Sequence, residues 1–144
     1  MWEPRPRRRV TKIWERLFLG NLKDAEQLAN SNHFRIASVV SLCTEEIRTK
    51  ADRIEYLHIP IAESRLIPAP KFEEVMAAMA NGVQRGNLLM HCLAGMSRSP
   101  IMIAAWLHRC GYASIDKALA EISELRDIDP SPVLLRSVKE HLTR

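Results

Sequence analysis

A cysteine, a glycine, an arginine and a serine stand close together in the stretch "MHCLAGMSRSP", residues 90–100. Cys92 is a nucleophile once ionised, and Arg98 carries a planar fork of donors that binds two oxygens of a phosphate at once. Gly95, between them, can take backbone conformations barred to residues with a Cβ, so the loop can turn its amides inward. Ser99 and Pro100 fit a helix start, because proline lacks an N–H and is tolerated in the first turn. Unpaired backbone N–H groups and the helix dipole make such a place an anion site. A cysteine aimed into it is expected to ionise easily, its pKa falling from about 8.5 into roughly the 3.5 to 7.5 range. A structural anion site or an inert buried cysteine would leave the combination of Cys92, Gly95, Arg98 and Ser99 unexplained.

Such a loop needs a strand to deliver it and a helix to receive it. "NLLMH" reads as the strand, and Ile101 to Arg109 as a helix apolar nearly all round, which belongs at the centre of a core. Upstream, "TKIWERLFLGN" reads as an opening strand or hairpin closed by a turn at Gly20-Asn21. Leu22, Ala25, Leu28 and Ala29 then recur at helical spacing up to about Asn32. "RIASVVSLC" and "IEYLHIPI" read as strands, the first buried on both faces, the second closed by Pro60 and the loop "AESRLIPAP". Phe72, Val75, Met76, Met79, Ala80 and Val83 form a helical stripe ending between Gly82 and Gly86. Two further helices run through Ile115 to Leu125 and Leu134 to Leu142. Strands alternating with helices predict an α/β fold: three layers, with a central, largely parallel sheet of four to five strands flanked by helices. Ligands of such sheets bind at the carboxyl ends of the strands, where the cysteine loop falls.

Composition bounds the rest. At 144 residues, 47% hydrophobic and 26% charged, the chain is expected to be one globular domain over residues 11–144 behind a basic arm at 1–10. The arm carries Arg5, Arg7, Arg8 and Arg9 and is read first as a solvated tail. The net charge of +4 suits an acidic or phosphorylated partner without choosing among nucleic acid, lipid head group and phosphoprotein. Cys43, Cys92 and Cys110 are an odd number without metal-ligand spacing, so reduced thiols in a cytoplasmic protein are expected, with no metal. The longest apolar run, Ile101 to Leu107, is too short to span a bilayer, and no membrane role is expected.

"HCLAGMSRS" resembles the HCx5R[ST] signature of the cysteine-dependent protein phosphatases, in the form typical of the dual-specificity branch. "LFLGNLKDAE" resembles that family's opening segment, and "YLHIPIAES" the segment that carries its acid. The resemblance implies a protein tyrosine phosphatase-like fold of the small, atypical single-domain type. By the same resemblance Cys92 attacks phosphorus and forms a phosphocysteine. Arg98 and the backbone N–H groups of Leu93, Ala94, Gly95, Met96, Ser97 and Arg98 hold the phosphate oxygens. Ser99 donates to the departing sulfur, and His91 orients the loop from beneath.

The chain departs from the family at two places. Glu63 stands where the acid is usually Asp; a carboxyl of either kind can protonate the leaving oxygen and then activate water. The extra methylene moves the proton by about an ångström, a shift that can cost around 10²-fold unless the loop compensates. Glu63 as general acid/base is the favoured role, a solvated loop residue the alternative; Pro68 and Pro70 stiffen its loop. In "RDIDPSPVLL", Ser131 stands where the family often has Asn, a change expected to leave the chemistry untouched. Cys43 ends "VVSLC"; tumour-suppressor lipid phosphatases, a related branch, carry a cysteine at a similar strand end that pairs with the nucleophile on oxidation. A reversible Cys43–Cys92 disulfide is therefore one expectation, a small core hydrophobe the other.

The resemblance implies a phosphorylated protein as substrate, taken in a shallow pocket that accepts phosphotyrosine and leaves room for phosphoserine or phosphothreonine. Leu93, Ala94 and Met96 are apolar where inositide-directed relatives place lysines, which argues against a polyphosphorylated substrate; Arg65 is a candidate rim cation. No cofactor and no obligatory nucleic acid is implied. Two alternatives stay open: a module that binds phosphate without hydrolysis, and a rhodanese-like sulfur transferase, whose loop is usually shorter and lacks the SRS ending.

Overall fold

In a computed structural model that describes residues 10–143, five strands form one mixed sheet in the order β1-β2-β5-β3-β4. β1 (Thr11–Trp14) and β2 (Leu17–Gly20) form an antiparallel hairpin, while β2, β5 (Asn87–His91), β3 (Ile36–Ser41) and β4 (Glu55–His58) run parallel. The largely parallel sheet expected from the alternation of elements is present. Apart from Val10, the basic arm lies outside the described residues.

Side-chain alternation divides the sheet into two apolar faces. Leu17, Leu19, Val40, Leu88 and Met90 face the larger core, shared with α2 (Ala69–Arg85), α3 (Arg98–Arg109), α4 (Ile115–Leu125) and α5 (Pro132–Leu142). Phe18, Val39 and Leu89 face a smaller core closed by α1 (Leu22–Gln27) and by Ile47 and Ile54 of the β3–β4 loop. α3 is the buried central helix that its all-round apolarity predicts, with Ile101 through Ala105 sealed from solvent. Among the described residues no helix is long and apolar enough to cross a membrane.

Two local expectations are corrected. The hairpin turns at Glu15-Arg16, not at Gly20-Asn21; Arg16 takes a positive φ of 59° and its guanidinium donates to the carbonyl of Val83. Asn21 instead starts α1, its side chain accepting from the Asp24 N–H while Asp24 accepts from the Asn21 N–H. α1 ends at Gln27, short of the expected Asn32. The end expected between Gly82 and Gly86 falls at Arg85, with Gly86 as the C-cap; Gly82 itself lies inside α2, where a Cβ would meet Leu88 at 2.9 Å and close approach to the sheet is its reason.

Candidate active site

β5 brings His91 and Cys92 to the carboxyl edge of the sheet, and α3 begins at Arg98, so the loop between them is held at both ends. Its outward carbonyls are taken by neighbouring donors. Leu93 accepts from the Leu22 N–H at 3.1 Å and Met96 from the Asp129 N–H at 2.7 Å. The Ser97 hydroxyl accepts from the Ser131 N–H at 2.9 Å. By contrast, the N–H groups of Leu93 through Arg98 are bonded to no protein acceptor among the described residues. A run of amides without protein acceptors, beside a cysteine and ahead of a helix, fits an anion-binding nest. Gly95 makes it sterically feasible: its φ is +71°, and a Cβ there would lie 2.7 Å from both the Gly20 carbonyl and an Arg126 nitrogen.

The side chains follow the same logic. Cys92 is buried at the floor. Arg98 is also buried; its Nη1 donates to the Ile61 carbonyl at 3.3 Å, and its Nε lies 3.0 Å from Glu63 Oε2. That second contact is a charge pair with poor donor alignment, since Nε has no hydrogen-bond partner of good geometry. Glu63 is half exposed, so the pair sits at the mouth of the cradle. Ser99 is sealed from solvent and its hydroxyl has no partner among the described residues. A buried, unpaired hydroxyl costs stability, which makes it a feature to be explained by function.

His91 lies beneath the loop, fully buried. Its Nδ1 is 3.1 Å from the Cys92 carbonyl and its Nε2 is 2.5 Å from the Ser41 hydroxyl. A carbonyl only accepts, so Nδ1 carries the proton and Nε2 accepts from Ser41. Burial pushes the His91 pKa down to about 4, so the ring is neutral. Cys43 is buried and free, its sulfur directed at the Glu45 carbonyl at 3.6 Å. Desolvation first, then Glu45, raises its pKa, while Arg98 lowers it. Cys43, Cys92 and Arg98 thus share one electrostatic neighbourhood at the sheet edge.

Two features escaped the sequence reading. The segment expected to leave the chemistry untouched touches the cysteine loop directly: Asp129 bonds to Met96 and Ser131 to Ser97. The second is Arg126, packed behind Gly95, which donates to the Leu19 carbonyl and Thr11 hydroxyl and lies 3.7 Å from Asp24. Arg126 opens the "RDIDPSPVLL" stretch compared with the family, but that likeness assigned it no role; the positive-φ glycine it presses against supplies one. Arg65 is exposed on the loop beyond Glu63. Among the described residues no cluster of His, Cys, Asp and Glu is placed to hold a metal ion.

A buried cysteine and arginine beside unpaired loop amides, at the carboxyl edge of a largely parallel, mixed sheet, fit the protein tyrosine phosphatase-like class of α/β fold. The model of the dual specificity phosphatase catalytic domain matches residues 17–144, and the chain belongs to that family. Human dual specificity protein phosphatase 15 is 31% identical over 130 residues, 86% of this chain and 43% of that protein. The monkeypox virus dual specificity protein phosphatase OPG106 is 31% identical over 100 residues, 68% of this chain and 58% of the viral protein. The chain thus spans about half the length of these relatives. A mouse dual specificity phosphatase crystallised with zinc tungstate superposes with a TM-score of 0.84 over 99% of this chain and 91% of its own, at 22% identity.

Proposed function

We propose that residues 11–144 form one catalytic unit that hydrolyses phosphomonoesters on proteins, phosphotyrosine foremost and phosphoserine or phosphothreonine as well. The observation that carries this reading is the run of N–H groups from Leu93 through Arg98 without protein acceptors among the described residues, next to buried Cys92. Those amides and Arg98 match the oxygens of a phosphoryl group, whose loose transition state needs positioned donors more than covalent help. The Cys92 sulfur attacks phosphorus, the P–O bond breaks, and the leaving oxygen takes the proton of Glu63. Glu63, now a carboxylate, takes a proton from water, which attacks phosphorus; the S–P bond breaks and Ser99 donates to the sulfur as it leaves. His91 holds the Cys92 carbonyl and so the loop's orientation. Since Glu63 lies on Arg98 in the free protein, the incoming phosphate must displace it from the guanidinium before Glu63 can serve as acid. Free thiols suit a reducing, cytoplasmic setting. A Cys43–Cys92 disulfide belongs to the same proposal, slowed by the raised pKa of Cys43, which reduces its thiolate fraction.

The test is hydrolysis of p-nitrophenyl phosphate and of an alkyl phosphate across pH by the wild type, Cys92→Ser and Glu63→Gln. Loss of turnover in Cys92→Ser, with a Glu63→Gln defect larger for the poorer leaving group, supports the assigned roles. A wild type that binds phosphate yet turns over neither substrate is a phosphate-recognition module. Peroxide treatment followed by peptide mapping decides the disulfide: a sulfinic Cys92 without a 43–92 linkage removes it.

A further inference from the structure

We infer that α5 sets the distance between the cysteine loop and Glu63, with Ser137 and His141 as positioning residues for the acid. The inference rests on the general-acid reading of Glu63. The amino end of α5 is bonded to the cysteine loop, through the Ser131 N–H and the Ser97 hydroxyl. Ser131 is also the N-cap of the helix, its hydroxyl accepting from the Leu134 N–H. About two turns further on, α5 grips the loop that carries Glu63. The Ser137 hydroxyl accepts from the Ile67 N–H at 2.9 Å, and His141 Nε2 donates to the Ile67 carbonyl at 2.6 Å.

Both backbone groups of Ile67 are thereby held by one helix face. At the other end of the loop, Ile61 donates to the Leu42 carbonyl and accepts from Arg98. Between these buried anchors, residues 62–66 are exposed. A helix is a stiff rod rising about 1.5 Å per residue, so Ser131 and Ser137 are held roughly 9 Å apart along it. The cysteine loop and the base of the acid loop therefore share one rigid gauge.

The choice of residues supports the inference. Ser137 is buried beside Leu134 and Val138, where packing alone calls for an apolar side chain. His141 stacks on buried Phe72 at 5.5 Å between centroids, a contact a phenyl ring would make as well. Its Nε2 proton faces Ile67, while its Nδ1 has no partner among the described residues. Ser137 and His141 are thus polar where their surroundings do not require it, and each directs its polar group at Ile67. Glu63 reaches farther than an aspartate by one methylene, a length that serves proton transfer only if the loop base is held back by a matching amount.

The experiment compares wild type, Ser137→Ala, His141→Phe and Ser137→Thr, on p-nitrophenyl phosphate and on phenyl phosphate, whose leaving group depends more on protonation. Inorganic phosphate affinity is read by calorimetry and folding by thermal melts. Expected for Ser137→Ala and His141→Phe is a kcat loss of about 10-fold on phenyl phosphate and about 3-fold or less on p-nitrophenyl phosphate, with phosphate affinity unchanged. Ser137→Thr, which keeps the hydroxyl, should retain the wild-type ratio between substrates. In the Glu63→Gln background neither substitution should lower kcat further. Equal losses on both substrates, weakened phosphate binding, or an undiminished loss in the Glu63→Gln background would each overturn the inference in favour of a purely structural role. If Ser137→Ala does not fold, His141→Phe decides alone, since it keeps the ring stack. A Glu63→Gln variant as active as wild type on phenyl phosphate removes the acid assignment itself. A defective Glu63→Gln beside normal α5 variants removes only the gauge.

Discussion

At the scale of single residues the site holds two arrangements that packing does not explain: a carboxylate seated on the buried Arg98, and a sealed Ser99 hydroxyl without a partner among the described residues. Glu63 pairs with Arg98 across 3.0 Å at a half-exposed position, so it competes with any anion that needs the same guanidinium. Pairs at such positions are worth roughly 0 to 1 kcal/mol. Glu63→Gln, in a Cys92→Ser background that prevents turnover, should therefore bind inorganic phosphate about two- to fivefold more tightly by calorimetry, even as the same substitution slows the active enzyme. Unchanged or weaker binding would mean that the carboxylate does not obstruct the cradle. Ser99 gives the opposite signature. Its buried, unpaired hydroxyl contributes nothing to folding as it stands, so Ser99→Ala should leave the melting temperature unchanged or slightly higher. If its role is the proposed one in the departure of sulfur, rapid-quench assays of Ser99→Ala should show a stoichiometric burst of p-nitrophenol followed by slow turnover as phosphocysteine accumulates. A slowed burst would assign Ser99 to phosphate binding.

Elements decide how much of this was legible in advance. β3, β5 and α3 announce themselves because burial on both faces or all round leaves unbroken apolar runs, and the cysteine loop is confined between two of them. The start of α1 was misread because Gly-Asn is an ambiguous pair. It closes hairpins, yet Asn is also an N-cap, and only Asp24 at the third helical position distinguishes the two. The contacts of Asp129 and Ser131 with the loop were hidden for another reason: both bonds are donated by backbone N–H groups, and backbone donors leave no trace in side-chain identity. Gly95 is where loop and element meet. In Gly95→Ala the left-handed φ of +71° alone costs about 1 kcal/mol, and the new Cβ would also collide with the Gly20 carbonyl and Arg126. The variant should melt several degrees lower and lose phosphate binding together with activity. A stable variant with full phosphate affinity would show that the loop does not depend on this backbone turn.

The whole molecule registers the site through its stability, because His91, bonded to the Cys92 carbonyl, is also a titratable group sealed in the sheet. The family resemblance proposes His91 as an orienting residue, but its burial and its bond to Ser41 come from strand register, which pairs residues 50 positions apart. Burial holds its folded pKa at about 4, against 6.5 for an exposed ring. The depressed value means that the unfolded chain binds a proton that the folded chain refuses, so stability rises with pH across this window. The His91 contribution is fully present above pH 6.5 and is lost as pH falls toward 4, by on the order of 3 kcal/mol. Other resolved shifts act outside most of that range. Glu45 and Glu73 are depressed from 4.5 and lose their contributions only below it, while Cys43, Cys110 and Tyr112 are raised and act at alkaline pH. Urea unfolding at pH 7.0, 6.0, 5.0 and 4.5 should therefore show a steady loss of stability in the wild type. His91→Gln, which keeps hydrogen-bonding atoms but cannot be protonated, should flatten that dependence even if it is less stable at pH 7. If the variant retains the slope, another group carries it, and the neutral ring beneath Cys92 is not what ties folding of this domain to pH.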